Sequence, residues 1–420
     1  MRLDTVVIGA GVIGSAIALE LARAGHEVVV LDKGTGVGFG STSASSAIVR
    51  FHYSTFTAVA AAWEARQLWA DWAGHLGHPD PDGLATFHRT GMLVLGDGTP
   101  PHLDEAGVPW EMWDPDEVGR RVPELDTGRY GPPVPVDDPA FFEDARGRLG
   151  GSYTPDAGYV DDPRLAAANL AAAARHHGAS FLVRREVVGI DGDGPRRWRV
   201  RTATGDRLDA DVVVNAAGPW SSRLAALLGA DADFAFTSRP LRQEVHQLAA
   251  SGPVVTVADP DLGVYLRPQG EGQLVVGGLE PACDPLHWLD RPEDADPRPT
   301  RAVFEAQTLR AARRVPGLAV PSRPQGITGV YDATPDWTPI YDRTALPGVY
   351  VAMGTSGNQF KNAPVVGQLM AHLIASVEAG HPHDAEPLTW RAPRTGNVLD
   401  LATFSRRRRV GSDGPSNVLG

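Results

Sequence analysis

Three short stretches of this 420-residue chain combine residue types and spacings that could do chemistry. The first is Gly9-Ala10-Gly11-Val12-Ile13-Gly14, with Asp32 eighteen positions beyond Gly14. Glycine at the first position permits a tight turn, at the second lets backbone approach a pyrophosphate, and at the third lets a helix lie close on a sheet. A carboxylate at the position of Asp32 can accept hydrogen bonds from ribose hydroxyls. The second stretch ends on Arg50, a cation set among apolar neighbours in Ala47-Ile48-Val49-Arg50-Phe51. A guanidinium is always charged and grips carboxylates with a two-pronged fork. The same residue could equally hold the start of the following helix through a salt bridge. The third stretch is Gly354-Thr355-Ser356-Gly357-Asn358-Gln359-Phe360-Lys361, a glycine-rich turn ahead of a helical pattern and so a second anion-binding helix start.

The elements that must position these residues are readable from apolar periodicity. Thr5–Ile8 is a buried parallel strand, Ile17 to Ala22 has helical spacing, and Val28–Leu31 is a second buried strand ending at Asp32. This strand–turn–helix–strand unit binds a dinucleotide, with NAD, NADP and FAD all open at this point. After Asp32-Lys33 comes a loop of glycines and small hydroxyls, including Ser41, Ser45, Ser46 and then Ala47. Loops at the carboxyl ends of such strands line the ligand crevice. Trp63, Leu68, Trp69 and Trp72 recur at helical spacing and read as core of a helix running to about Ala73. Strands are expected at Glu186–Ile190, which contains Val187, and at Asp211–Asn215. The latter closes on Ala216-Ala217-Gly218-Pro219-Trp220, where small residues let backbone pass close to a cofactor. Gly263–Pro268, with Tyr265, and Gln273–Gly278 alternate as in a sheet roofing a ligand pocket. Gly326–Asp332 and Gly348–Met353 are strands near the end, and the run Arg406–Arg409 reads as a solvated tail.

Composition narrows the class. A formal net charge of −12 argues against a nucleic-acid partner. A single cysteine, Cys283, excludes intramolecular disulfides and multi-thiolate metal sites, and no histidine cluster supports metal catalysis. No apolar run reaches the length of a membrane span, and Met1-Arg2-Leu3-Asp4 is too short for a signal peptide. A soluble cytoplasmic protein of two domains sharing a cofactor is the expectation.

The fingerprint Gly9–Gly14, the segment Asn215-Ala216-Ala217-Gly218-Pro219-Trp220 and the Gly357…Phe360-Lys361 turn occur in an order and spacing that resembles the D-amino-acid-oxidase-type FAD oxidoreductases. The similarity is to the branch holding sarcosine, dimethylglycine and glycine oxidases, and it spans about Asp4 to Leu401. It implies an α/β fold in which a Rossmann-like FAD-binding domain (1–80, 152–230 and 325–400) is interleaved with a β-sheet substrate domain (81–151 and 231–324), followed by a basic tail (401–420). It implies FAD held by Gly9, Gly11, Val12, Ile13, Gly14, Asp32, Lys33, Ser41, Ser45, Ser46, Ala47, Val187, Ala217, Gly218, Trp220, Gly354 and the turn Gly357–Lys361. Arg50 and Lys361 fall where that branch binds the substrate carboxylate, and Tyr331 where a tyrosine lies near the substrate amine; Tyr265 and Gln359 complete the expected catalytic set.

The implied reaction is oxidation of a secondary, N-methyl or cyclic amino acid by hydride transfer to flavin N5, followed by imine hydrolysis. The alternatives are a D-amino acid or 2-hydroxy acid dehydrogenase with a non-oxygen acceptor, or the flavin subunit of a hetero-oligomer. Departures from the branch are informative. The position of the flavin-linking cysteine of monomeric sarcosine oxidases is Gly329, residues 41–46 hold no counterpart of the linking histidine of the dimethylglycine enzymes, and the position of the oxygen-activating lysine of monomeric sarcosine oxidases is Val275. Non-covalent FAD is therefore expected, and the acceptor, oxygen or another, stays open.

Overall fold

The computed structural model describes residues 4–192, 197–249, 252–270 and 272–410. The first apolar run forms the strand Asp4–Ile8, which pairs in parallel with Glu27–Leu31 on one side and Val212–Asn215 on the other. These sit at the centre of a six-stranded sheet completed by Ser180–Leu182, Val349–Met353 and Ile340–Arg343. Strands buried on both faces read as unbroken apolar runs, which is why Val6, Val7, Val213 and Val214 are almost wholly enclosed. The helix Val12–Arg23 packs against the alanine-rich Pro163–His176 and against Ala363–Glu378. Close approach of these helices depends on small residues: a Cβ on Gly367 would lie 2.5 Å from the Ala16 carbonyl oxygen.

The second layer is a nine-stranded, largely antiparallel sheet. Its middle strands run Arg239–Leu248, Leu274–Gly278, Val264–Pro268, Thr256–Asp259 and Met92–Leu95. One face covers the dinucleotide domain, and the other packs on the helix Arg301–Arg314. No helix among the described residues is long and apolar enough to cross a membrane.

Three sequence expectations are corrected. Gly326–Ala333, grouped above with the dinucleotide-binding segments, pairs residue for residue with Arg239–Leu248 and so belongs to the large sheet. An isolated strand carries no label of the sheet it joins, and register is set by a partner about ninety positions away. The basic run is also not a solvated tail. Arg406 is completely buried among Asp233, Asp342 and Asp384, and Arg408 pairs with Asp336. Residues 411–420 of the expected tail lie outside the described residues. The helix expected to end near Ala73 breaks at Asp71 into Phe56–Ala70 and Trp72–Leu76, with Leu68, Trp69 and Trp72 buried and Trp63 half-buried.

Candidate active site

The glycine turn has the geometry its spacing requires. Gly9 has φ +112°, and a Cβ there would stand 2.2 Å from the Ala216 carbonyl oxygen. A Cβ on Gly14 would stand 1.9 Å from the Gly9 carbonyl oxygen, so neither position accepts a side chain. Gly11 caps the helix Val12–Arg23, whose first N–H groups have no partner within the helix itself. The Val12 N–H donates to Thr42 Oγ1 at 3.1 Å, tying the hydroxyl-rich loop to the helix start. Asp32 accepts from the Ala10 N–H at 2.7 Å and the Gly34 N–H at 2.6 Å. These bonds hold the carboxylate in place, and each oxygen keeps a further lone pair for a ligand.

A single cavity of about 910 Å³ runs from this turn to the large sheet. Gly9, Gly11, Val12, Ile13, Asp32 and Lys33 line one end. Ser41, Ser45, Ser46 and Ala47 follow from the loop, then Val187, Ala217, Gly218 and Trp220 from the neighbouring strands. Arg50, Tyr265, Tyr331, Gly357, Asn358, Gln359, Phe360 and Lys361 line it too. Gly14 and Gly354 do not line it. Gly14 sits behind the turn, and the Gly354 N–H donates to Asp332. A Cβ at Gly40 or Gly218 would meet nothing within 4 Å, so the wall there opens onto free space of the kind an extended dinucleotide fills. At the rim, Glu293 of the short turn Pro292–Asp294 accepts from Trp220 Nε1 at 2.5 Å and from Lys33 Nζ at 3.0 Å, and Lys33 lies 3.7 Å from the Trp220 ring centroid. Partial burial alone would raise the Glu293 carboxyl, but those two donors outweigh it and hold it at about 2. Sequence reading missed Glu293, whose contacts join distant segments.

Two cations meet at the other end, Arg50 just after the strand Ile48–Val49 and Lys361 at the start of the final long helix. Both are buried, at 5% and 2% exposure. Tyr53 lies between them, its ring centroid 4.7 Å from the Arg50 guanidinium carbon and 4.9 Å from Lys361 Nζ. The Asn358 carbonyl oxygen accepts from Tyr53 Oη at 2.8 Å and from Lys361 Nζ at 2.7 Å, while Arg50 donates to the His52 carbonyl oxygen. Burial, and then the charge of Arg50, push the Lys361 amine well below the usual lysine range. The arrangement is a buried pair of basic side chains suited to an anion. Tyr53 was not singled out from sequence; its place three residues after Arg50 is the signal that was available.

The remaining expected residues have definite surroundings. Tyr265 Oη and Ser46 Oγ share a 2.5 Å hydrogen bond, and burial pushes the phenol up to about 12. A Cβ on Gly277 would lie 2.3 Å from the Tyr265 ring, and one on Gly357 would lie 2.2 Å from the Tyr331 ring. Both tyrosines therefore lie across glycines. The Gln359 amide is committed to Tyr341, Asn362 and Asn358, so it frames the turn.

Asp332 also lines the cavity and went unnoticed in the sequence. It is 2% exposed; Oδ2 accepts from Gly354 N–H at 2.5 Å, and Oδ1 has no partner of good geometry. Burial pushes the carboxyl up to about 7, against the weaker pull of Ser238 and of the Gly354 and Thr355 N–H groups. An acid whose folded-state value is raised contributes stability that is complete below its unfolded value and is lost as pH rises to the folded one. Between pH 5 and 8 the ligand-free chain should lose roughly 3 kcal/mol through this group. Asp332→Asn should remove that share of the slope in urea titrations at several pH values. Parallel pH profiles for the two proteins would show that Asp332 does not titrate there.

With this geometry in view, the likenesses to known proteins gain a physical basis. A family model described as FAD dependent oxidoreductase (DAO) matches residues 4–373. The chain is 27% identical over 418 residues to a glycine oxidase of Geobacillus kaustophilus (strain HTA426), a match covering 98% of this chain and 99% of that protein. It is 29% identical over 412 residues to a sarcosine oxidase subunit beta of an Arthrobacter species, covering 94% and 92%. Among solved structures, an L-proline dehydrogenase from P. horikoshii superimposes with a TM-score of 0.75 at 23% identity over 97% of both chains.

Proposed function

We propose, on the premise that the chain belongs to the DAO family of FAD-dependent oxidoreductases, that it oxidises a carboxylate-bearing secondary, N-methyl or cyclic amino acid. FAD-dependent oxidation of an amino acid or amine follows from the family and its full-length relatives. The finer reading rests on one observation, the buried pair Arg50 and Lys361 set against one Tyr53 ring at the cavity end remote from the glycine turn. A substrate carboxylate entering between them supplies the counter-charge that burial withholds, so binding returns Lys361 toward its charged form. Fixing the carboxylate fixes the neighbouring carbon, which converts binding energy into orientation. Tyr331 and Tyr265 offer ring faces to the amine from the large sheet.

The residues present suit FAD: a glycine turn with an open helix start, Asp32, small hydroxyls along the wall, and a second helix start at Phe360-Lys361. When bound, FAD accepts the hydride from the substrate carbon, chemistry that belongs to the cofactor. Gly329, opposite Ala44, offers no atom for a covalent link, so the cofactor is held non-covalently. A second reading, a dehydrogenase passing electrons to an acceptor other than oxygen, follows from Val275, an apolar side chain at 7% exposure at the position that aligns with the oxygen-activating lysine of monomeric sarcosine oxidases. The subunit name of one relative makes a partner chain part of that reading.

One anaerobic experiment addresses these points. Purified protein is mixed with N-methyl, cyclic and D-amino acids, and flavin absorbance is followed. Bleaching by a carboxylate-bearing amine is expected, and denaturation should release all the flavin. Admitting air then separates oxidase from dehydrogenase by the speed at which colour returns. No bleaching by any member of the panel would sink the amine-oxidising reading.

A further inference from the structure

The large sheet turns one face to the cavity, and the register across its strands shows what that face is made of. Val245 stands opposite Gly277, Gly277 opposite Tyr265, and Tyr265 opposite Ala258. Residues directly opposite in an antiparallel pair share a face, so Val245, Tyr265 and Ala258 form one row. Leu279, two positions beyond Gly277, and Met92, two before the Val94 that pairs with Ala258, extend that face by the strand's period of two. All five line the cavity, and Met92, Ala258 and Leu279 are buried at 1%, 0% and 4%.

The sheet's charged groups point elsewhere. Arg242 and Glu244 pair with each other at 2.5 Å on the opposite face, where His246 bonds Gln307. Arg267 shares the cavity face but lies 4.3 Å over the Tyr159 ring, away from the lining. Gln243 is the neutral polar exception, and Asp332 closes the far edge next to Gly354. Glu280, directly after Leu279, is near enough to Arg50, Tyr265 and Tyr331 to act on their charges. An acidic substrate side chain arriving at that wall would meet it as a like charge.

We propose that the substrate carries an apolar side chain or ring of three or more carbons, seated against Val245, Leu279 and Met92 while its carboxylate faces Arg50 and Lys361. This rests on the carboxylate-binding reading given above. An acidic side chain there would lose water without gaining a partner and would meet Glu280 as a like charge. An apolar one gains roughly fourfold in affinity for each methylene buried. Glycine and sarcosine leave the apolar wall empty.

Two measurements test this, and the first needs no turnover. Unreactive carboxylates from acetate through propionate and butyrate to isovalerate and cyclopentanecarboxylate are titrated into the FAD-bound enzyme, read by the change in the flavin spectrum. The dissociation constant should fall roughly fourfold per added carbon, and succinate should bind no better than acetate. Second, kcat/KM for proline, pipecolate, valine and leucine of either hand should exceed that for glycine and sarcosine by roughly ten- to hundredfold for at least one of them. Val245→Thr, which keeps the side chain's shape, should lower kcat/KM several-fold more for the apolar substrate than for glycine. Ala258→Ser is the second variant should the first fold poorly. A flat carboxylate series, or glycine, sarcosine, aspartate or lysine as the best substrate, would overturn the inference while leaving the carboxylate clamp standing. If carboxylates do not bind at all, or simple amines lacking one react equally well, the underlying clamp reading fails instead.

Discussion

Arg50→Met is expected to lower kcat/KM for the best substrate by roughly a hundred- to a thousandfold, the effect of losing one partner of a buried, hydrogen-bonded charge pair. Methionine keeps most of the length and apolar stem of arginine, so the wall between the His52 carbonyl and the Tyr53 ring stays filled and the loss is one of charge. The substrate carboxylate would then be desolvated against Lys361 alone. That residue partly compensates, because Arg50 is, after burial, the second cause that lowers its amine. With Arg50 gone, Lys361 keeps its proton to higher pH. Lys361→Met in the parent should accordingly cost less than Arg50→Met, and the double variant should lose more than the product of the single effects, since each cation covers for the other. The methyl ester of the same substrate isolates the charge term: its kcat/KM should change by no more than a few-fold in Arg50→Met. Steady-state kinetics for acid and ester across the three variants decide the matter. Near-parental rates for the acid in both single variants would remove the carboxylate clamp from the mechanism.

What the sequence made legible was whatever depends on local spacing. The turn at Gly9–Gly14 needs three glycines within six residues, and the atoms that forbid a Cβ there, Ala216 O and Gly9 O, are those of a strand and a turn already visible as patterns. Arg50 stood out because a cation among apolar residues is costly without a purpose, whereas Lys361 was picked out by the family resemblance of its turn. What stayed hidden lies in contacts between distant segments. Tyr53 reaches Asn358 across 305 positions, and Glu293 reaches Lys33 across 260. Nothing within a window of ten residues marks either pair. Asp332 looked like an ordinary strand-end acid, and its raised carboxyl comes from burial between the sheet edge and the Gly354 turn. The strand Gly326–Ala333 was visible as a strand, but its sheet was chosen by pairing with Arg239–Leu248. Propensity names elements; tertiary register assigns them.

The Arg406–Arg409 run was misread for the same reason, and it carries the largest expected effect on stability. Charge runs are ordinarily solvated, because a buried guanidinium needs several acceptors gathered from elsewhere. Here they are gathered. Arg406 bonds Asp233 at 2.6 Å, Asp384 at 2.8 Å and Asp342 at 3.1 Å, and its own N–H donates to Asp342 at 2.9 Å. Asp342 belongs to the edge strand of the six-stranded sheet, while Asp233 follows the helix Ser221–Leu228 and Asp384 the last long helix. One side chain therefore clasps three segments. Arg406→Met would strip the arginine from Asp342, at 1% exposure, and leave Asp233 and Asp384 to Arg407, and should cost roughly 3–5 kcal/mol at pH 7. Arg406→Lys, which keeps the charge but loses the fork, should fall between. The pH dependence gives the sign. Arg406 heads the causes that lower Asp384, and it outweighs burial, together with Arg407, in lowering Asp233. Carboxyls depressed in the folded state contribute stability that is present above their unfolded values and is lost as pH falls through the folded ones. The gap between parent and Arg406→Met should therefore narrow as pH drops from 7 toward 3. Urea midpoints of the FAD-bound proteins at fixed FAD concentration measure it. An equal midpoint at pH 7, or a gap that does not change with acidification, would return Arg406 to the status of a surface charge.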